Sequence, residues 1–328
     1  MIINKIKMRI SRYFGLTSIL WKNRKNGVYC FNFHRIGDVN NCLYDPGVFS
    51  CTEEDFEKYL IFIKNNFKII DQDTLIKMIE SGVSPNNRFA HITFDDGYID
   101  NYVLAFPILR SHNIPATFFV ATSLIESNIT PWWDEIAWHI RNCSKKTIQL
   151  SSWQKSVYLD KLNCINNIKK VLSQCKSSSQ TIEEQLIELR TVTGLTLSQG
   201  ENEFMTWAQL LEMELAGMTI GAHSHSHRIL SSLSQSELSY ELRYAKELLE
   251  AKLTKKIVSI SYPVGNKTTY NKEMFNEIEQ QGYEVAFSFR YYLNQHLVHN
   301  KYQLARLSIS DSFKETRFME HCLSAPKL

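Results

Sequence analysis

Ala90-His91-Ile92-Thr93-Phe94-Asp95-Asp96-Gly97-Tyr98 is the stretch around which the chain is organised. Apolar residues run into two adjacent carboxylates, and a glycine then turns the chain. A buried strand ending in Asp-Asp puts charge at the strand's carboxyl end, where α/β folds carry their chemistry. Side chains alternate along a strand, so Asp95 and Asp96 share a face only if the backbone bends between them, and Gly97 permits a bend. The two carboxylates are therefore expected to do different jobs. An Asp-Asp pair also serves as plain turn punctuation, so the rest of the chain must decide.

Outward from this stretch, short apolar runs alternate with helical patterns. Val28–Phe33 reads as a buried strand delivering His34 and Arg35 at its end, Ile69-Ile70 as a short strand, and Ala116–Val120 as another. Gly217–Ala222 ends in His223-Ser224-His225-Ser226-His227, and Ile257–Ser261 ends in Tyr262-Pro263-Val264-Gly265. Val285–Phe289 and Leu304–Ile309 complete the series. Between them lie helices with readable starts: Thr52 with Asp55, Thr206 with Gln209, and Ser234 with Glu237. Tyr102–Leu109 also reads as helical despite Pro107. Strands alternating with helices predict an α/β fold with a parallel sheet, open or closed into a barrel, and polar clusters at strand after strand favour a barrel mouth. The alternation lapses between about 124 and 203, which reads as an inserted helical subdomain. Its Trp132 and Trp133 suit sugar stacking, but core packing is the favoured reading for such a pair.

Composition sets the outer limits. The 328 residues are 44% hydrophobic and 22% charged, an ordinary globular mixture, and a net charge of +3 gives no reason to expect nucleic acid. The charge is uneven, however. Seven Lys or Arg residues, from Lys5 to Lys25, precede the first acid, Asp38, and are interleaved with residues such as Ile6, Ile10, Phe14 and Trp21. Residues 1–26 thus read equally as a basic amphipathic segment in peripheral contact with an anionic membrane surface, or as a helix packed on its own domain over 27–328. No secretion signal or membrane span is legible. The seven scattered cysteines lack Cys-x-x-Cys spacing and fit reduced thiols, so a cytoplasmic chain is expected, at most peripheral to the inner membrane face.

One carboxylate and two imidazoles with an open fourth position make a catalytic site for a divalent metal ion, zinc most often. His223 and His227 offer the imidazoles and one of Asp95 or Asp96 the carboxylate. The other Asp can then serve as a base toward water whose pKa an ion lowers to about 7. His225, between the two ligands, has no assigned task.

Thr93-Phe94-Asp95-Asp96 together with His223-Ser224-x-x-His227 resembles the first two motifs of the polysaccharide deacetylases, the NodB-homology family. Tyr262-Pro263-Val264-Gly265 resembles a third motif in one branch. Weaker similarity at Phe33–Ile36 and Leu304–Leu307 extends the resemblance over most of residues 28–310. The resemblance implies a distorted (β/α) barrel and metal-dependent removal of N-acetyl groups from amino sugars. It implies Asp95 as general base, Asp96, His223 and His227 as ligands of one divalent ion (Zn²⁺ the expected one), and the Val264 amide beside Tyr262 as the oxyanion and substrate side of the site.

The chain departs from the family pattern in two places. Where the family often carries an arginine two residues before the proline of the third motif, this chain has Ser261, so Arg306 is expected to supply the guanidinium that holds Asp95. The late Leu-x-x-His motif is missing. His34 ends an apolar strand at the front of the chain, next to the last strand in a closed barrel, and is the expected general acid, as in branches that resemble a permuted order. The substrate implied is an N-acetylated sugar in a glycan or in a lipid- or nucleotide-linked precursor used for surface polysaccharide. A carbohydrate-binding or assembly protein without turnover, and a sugar O-acetyl esterase, are the alternatives.

Overall fold

The computed structural model describes residues 15–197 and 203–328, and the chain divides into two compact units. The first holds residues up to Gly37, Ser50–Ile125 and Phe204–Leu328; the second holds Asp38–Phe49 and Glu126–Glu203. The strands, in chain order, are β1 (Gly27–Phe33), β2 (Arg35–Ile36), β3 (Phe49–Cys51), β4 (Lys68–Ile69), β5 (Arg88–Phe94) and β6 (Thr117–Val120), then β7 (Thr147–Ile148) and β8 (Val157–Tyr158) of the second unit, then β9 (Thr219–Ala222), β10 (Ser259–Ser261), β11 (Val285–Phe287) and β12 (Leu307–Ser308). The helices are α1 (Thr17–Lys22), α2 (Glu53–Asn66), α3 (Gln72–Glu80), α4 (Phe106–Ser111), α5 (Trp132–Asn142), α6 (Cys164–Ser177), α7 (Ile182–Thr193), α8 (Trp207–Leu215), α9 (Gln235–Lys252), α10 (Glu273–Gln280) and α11 (Glu315–Ser324).

The main sheet is wholly parallel and runs β11-β10-β9-β6-β5-β1-β12, with β4 paired to the start of β5. Apart from β4, neighbours in space are neighbours in the sheet's chain order, so the sheet winds one way and curls into a (β/α) half-barrel. β12 pairs with β1, joining last strand to first. Between β11 and β12 the ladder thins to a single bridge, Phe287 with Leu304, so the barrel is distorted and incompletely closed. The expected strand Leu304–Ile309 is regular only over Leu307–Ser308. Ahead of it the chain leaves β11 to reach β1, and it cannot pair regularly with both.

Alternation along β5 decides which groups meet inside. Ala90, Ile92 and Phe94 join the core beneath the surrounding helices, where Phe94 stacks on Phe118 at 4.6 Å and on Phe33 at 5.4 Å. Each such aromatic pair adds about 1 kcal/mol beyond its buried area. His91, Thr93 and Asp95 take the opposite face, within the barrel. That interior is crowded: a Cβ on Gly221 would lie 2.6 Å from the Phe119 ring and 2.7 Å from Ser259 Oγ, so β9 requires glycine there.

Helix starts follow the sequence. Thr206 with Gln209 and Ser234 with Glu237 form reciprocal capping boxes, and the Thr52 side chain accepts from the Asp55 amide. Pro107 is accommodated because a π-turn over Asn101–Ala105 precedes α4, which places the proline in its first turn, where its missing N–H is harmless.

Residues 1–14 of the basic N-terminal segment lie outside the described residues. Of the remainder, α1 packs on its own unit: the Trp21 indole donates to Asn66 Oδ1 at 2.9 Å, and the Arg24 guanidinium lies 3.9 Å over the same indole. Among the described residues no helix is long and apolar enough to cross a membrane.

The second unit has its own core, from Trp133, Ile136 and Ile140 of α5, Trp153, Val171 and Leu172 on or before α6, and Leu186 and Leu189 of α7. Trp133 is a core residue here, while Trp132 meets its ring edge-on at 5.4 Å and carries Lys176 over its face. The antiparallel β7–β8 hairpin was not legible in the sequence, because two-residue strands carry almost no periodicity.

Candidate metal centre

Every group expected at the site lies at the carboxyl end of a sheet strand or just before β12. The bend after β5 begins one residue earlier than expected: Asp96 itself has φ 75°, followed by Gly97 at 93°. Aspartate tolerates this left-handed conformation better than most residues. The turn sends Asp96 away from Asp95, so the adjacent carboxylates face different partners.

Asp96 meets the two histidines. Its Oδ1 lies 3.4 Å from His223 Nε2 and 3.3 Å from His227 Nε2, and the candidate ligand atoms of the three residues all lie within 4.8 Å of one another. The edge of a tetrahedron with bonds of about 2.1 Å is about 3.4 Å, so the donor set fits a small divalent cation. His223 Nδ1 is 2.8 Å from the Ser261 carbonyl oxygen, which makes Nδ1 the donor and leaves Nε2 as the coordinating atom. Burial pushes the Asp96 pKa up, but the two imidazoles more than offset it and hold the carboxyl well below its usual range. It is thus ionised, as a ligand must be.

The His223–His227 loop is strained and clamped. Ser224 and His227 both have positive φ, at 59° and 54°, and Val264 has 63°. With Asp96, four of the six non-glycine residues of positive φ among the described residues lie in the strand-end turns of this one site. Such strain persists only where surroundings enforce it. For the histidine loop the enforcement comes from Glu241 of α9, almost wholly buried, whose carboxylate accepts from the His225 amide at 2.9 Å, the Ser226 amide at 2.8 Å and the Ser226 hydroxyl. His225 turns out of the cluster: its Nδ1 lies 2.8 Å from Thr122 Oγ1 and its ring meets Tyr244 edge-on.

Asp95 faces a different set. Arg306, fully buried, grips it with two parallel hydrogen bonds, Nη1 to Oδ1 and Nη2 to Oδ2, each 2.7 Å. The same guanidinium donates to Asn32 Oδ1 and Ser261 Oγ at 2.7 Å, and to the Ser288 carbonyl at 3.0 Å. Ser261, two residues before Pro263, is thus a partner of the arginine that arrives from the far end of the chain. Asn32 Nδ2 donates to Asp95 Oδ2 at 3.2 Å. Of about four acceptor positions on the carboxylate, three are filled and one is open. Burial would raise the Asp95 pKa, yet Arg306, with lesser help from His223, holds it below the ordinary range.

His34 Nε2 stands 3.9 Å from Asp95 Oδ2, and its ring is edge-on to Phe289 at 5.6 Å. Its backbone is fixed on both sides: its amide donates to Ser50 Oγ at 2.9 Å, and its carbonyl accepts from Asn101 Nδ2 at 2.7 Å. Val264 sits in a tight turn closed by Gly265 N–H to Pro263 carbonyl at 2.7 Å. The Tyr262 side chain goes elsewhere. It is buried in the core, donates to the Tyr302 carbonyl at 2.7 Å and stacks on Tyr270 at 4.5 Å.

Three groups escaped the sequence reading. Asn32 is a polar residue inside an apolar strand pattern, a signal that was available, whereas Ser288 contributes only its backbone carbonyl, which any residue could supply. Glu241 lies on a helix rich in glutamate, and nothing in its spacing marks it.

The family model described as "Polysaccharide deacetylase" matches residues 82–286. The protein YxkH of Bacillus subtilis (strain 168) is 20% identical over 235 residues, 71% of this chain and 57% of its own. The poly-beta-1,6-N-acetyl-D-glucosamine N-deacetylase of Staphylococcus epidermidis is 31% identical over 116 residues, 32% of this chain and 40% of its own. The chain thus spans about half the length of these curated relatives. Among solved structures, the Streptococcus pyogenes deacetylase PplD in complex with acetate superposes with a TM-score of 0.56 at 17% identity, over 87% of this chain and 92% of that one, and so shares the fold.

Proposed function

This chain belongs to the polysaccharide deacetylase family, and from that premise we propose that it is a metal-dependent N-deacetylase acting on an amino sugar. The observation that carries the reading is the buried Asp96–His223–His227 cluster beside a second carboxylate, Asp95, held by Arg306.

Asp96, His223 and His227 would hold a divalent ion, zinc above all, which when bound polarises the acetyl carbonyl and lowers the pKa of water. Asp95 takes the proton from the attacking water at its one open acceptor position. Arg306 keeps the carboxylate ionised and oriented, so that its role is to position the base. His34, across from Asp95, hands a proton to the departing amine. The Val264 amide donates to the oxyanion as the carbonyl becomes tetrahedral. The positive φ of the Pro263-Val264-Gly265 turn is the kind of strain that a donor aimed at a reacting atom would demand.

The substrate we infer is an N-acetylated sugar in a glycan or in a lipid- or nucleotide-linked glycan precursor. Support comes from the Staphylococcus epidermidis relative, whose substrate is a polymer of N-acetylglucosamine by name. The seven cysteines form no disulfide, which suits a cytoplasmic setting and so a precursor. The test is acetate release from N-acetylated amino sugars and precursors, with metal content measured on the same preparation. O-acetylated sugars run in parallel separate amidase from esterase. Metal-loaded protein that releases no acetate from any of them overturns the enzyme reading in favour of a binding protein.

A further inference from the structure

The second unit carries a surface that the proposed chemistry does not use. Between residues 141 and 176 stand eight Lys or Arg residues and one acid, Asp160, a local charge of +7 in a chain whose formal charge is +3. The same stretch exposes three large apolar side chains: Leu162 at 97%, Tyr158 at 64% and Ile165 at 47%.

This exposure is built into the local structure. The turn Asp160–Asn163 is closed by the Asn163 amide on the Asp160 carbonyl and the Leu162 amide on Asp160 Oδ1, both at 3.0 Å. Buried Asn167 then pins the turn to α6, accepting from the Asp160 amide at 3.1 Å and donating to its carbonyl at 2.8 Å. Leu162 is thereby held at the tip of a fixed turn, away from the core. On α6, Ile168, Val171, Leu172 and Cys175 face inward, so Ile165 and Lys169, one helical turn apart, share the outer face. Lys161 precedes Leu162, and the Lys146 carbonyl accepts from the Leu159 amide at 2.9 Å, which brings the hairpin lysines beside the turn.

Protruding apolar side chains set among lysines make a surface that matches an anionic lipid bilayer: the apolar groups enter the headgroup boundary and the ammonium groups meet the phosphates. We propose that this face of the insertion docks the protein on an anionic membrane, with Leu162 and Ile165 as the inserted groups and Lys146, Lys161 and Lys169 as the charged ones. A polyanion in solution would be met by the lysines alone and gives no use to Leu162. The proposal stands apart from the deacetylase reading, since binding is measured without turnover.

The test is sedimentation of the full chain with vesicles of phosphatidylcholine alone or mixed with phosphatidylglycerol. Wild type should pellet with the mixed vesicles, stay in solution with the neutral ones, and be released by salt. Leu162→Ser/Ile165→Ser and Lys161→Glu/Lys169→Glu should each weaken binding about tenfold or more, with circular dichroism unchanged because all four positions are on the surface. Wild type that ignores anionic vesicles overturns the proposal. So does retained binding in both variants, which would move the contact to other residues such as the N-terminal segment. Loss in the lysine variant alone would also overturn it, because it marks a purely electrostatic contact in which Leu162 and Ile165 do not enter the bilayer.

Discussion

Arg306 and Asp95, 211 residues apart in the chain, meet through two 2.7 Å hydrogen bonds, with both side chains buried. A buried ion pair contributes little net stability, but removing one member leaves the other charged and desolvated. Arg306→Met should therefore destabilise the fold by about 3–5 kcal/mol, measured by urea unfolding. The Arg306→Met/Asp95→Asn double variant should recover part of that loss, because no lone charge remains. Additive losses would mean that the pair is not coupled.

Asp95→Asn separates catalysis from metal binding. The amide keeps the shape and one acceptor oxygen but cannot take a proton. Metal content should remain at about one divalent ion per chain, while acetate release falls by about 10²–10⁴. Loss of the ion in this variant would instead make Asp95 a ligand.

The metal cluster and its clamp make a graded series. His223→Ala should abolish binding, and chelation of wild type followed by added Zn²⁺ should remove and restore activity. Glu241→Ala should leave the fold intact yet weaken metal affinity about tenfold in a calorimetric titration, because the His225 and Ser226 amides lose their acceptor. Glu241→Gln, which retains one acceptor oxygen, should fall between Ala and wild type. Equal affinity in all three would show that the loop holds its shape without the carboxylate.

Acid stability should report His91. This ring is buried in the barrel, with Nδ1 3.2 Å from the Ile70 carbonyl and Nε2 3.3 Å from Thr117 Oγ1, facing the Phe287 ring. Burial pulls its pKa from 6.5 down to about 4; the Ile70 carbonyl and Asp71 oppose the shift, and Arg306 adds to it. The folded state therefore resists a proton that the unfolded chain accepts. Its contribution is present in full above pH 6.5 and is lost as pH falls toward 4, on the order of 3 kcal/mol. His91→Gln should flatten the slope of stability against pH across that window; an unchanged slope would assign acid sensitivity elsewhere.

The fold was legible because its signals are local. Apolar runs end in polar residues, and caps such as Ser234 with Glu237 are written within four residues. The Asp96–His223–His227 cluster was legible because spacing and residue type suffice for a metal site. Arg306 is legible only through the lack of an arginine at position 261, where Ser261 stands. Ser288, Asn32 and Glu241 escaped because their value lies in partners brought by other strands and helices, and Tyr262 misled because its motif position says nothing of where its ring packs. Distances across a barrel are not written in any short window of sequence.

The pairing of β12 with β1 has a consequence for the order in which the site is assembled. The metal ligands are all synthesised by residue 227, and His34 far earlier, but the guanidinium that accompanies Asp95 arrives with residue 306. A nascent chain still tethered to the ribosome short of that point holds every ligand and yet leaves Asp95 without its cation. A chain that stops before Arg306 and β12 keeps both sequence motifs and lacks the guanidinium that holds Asp95.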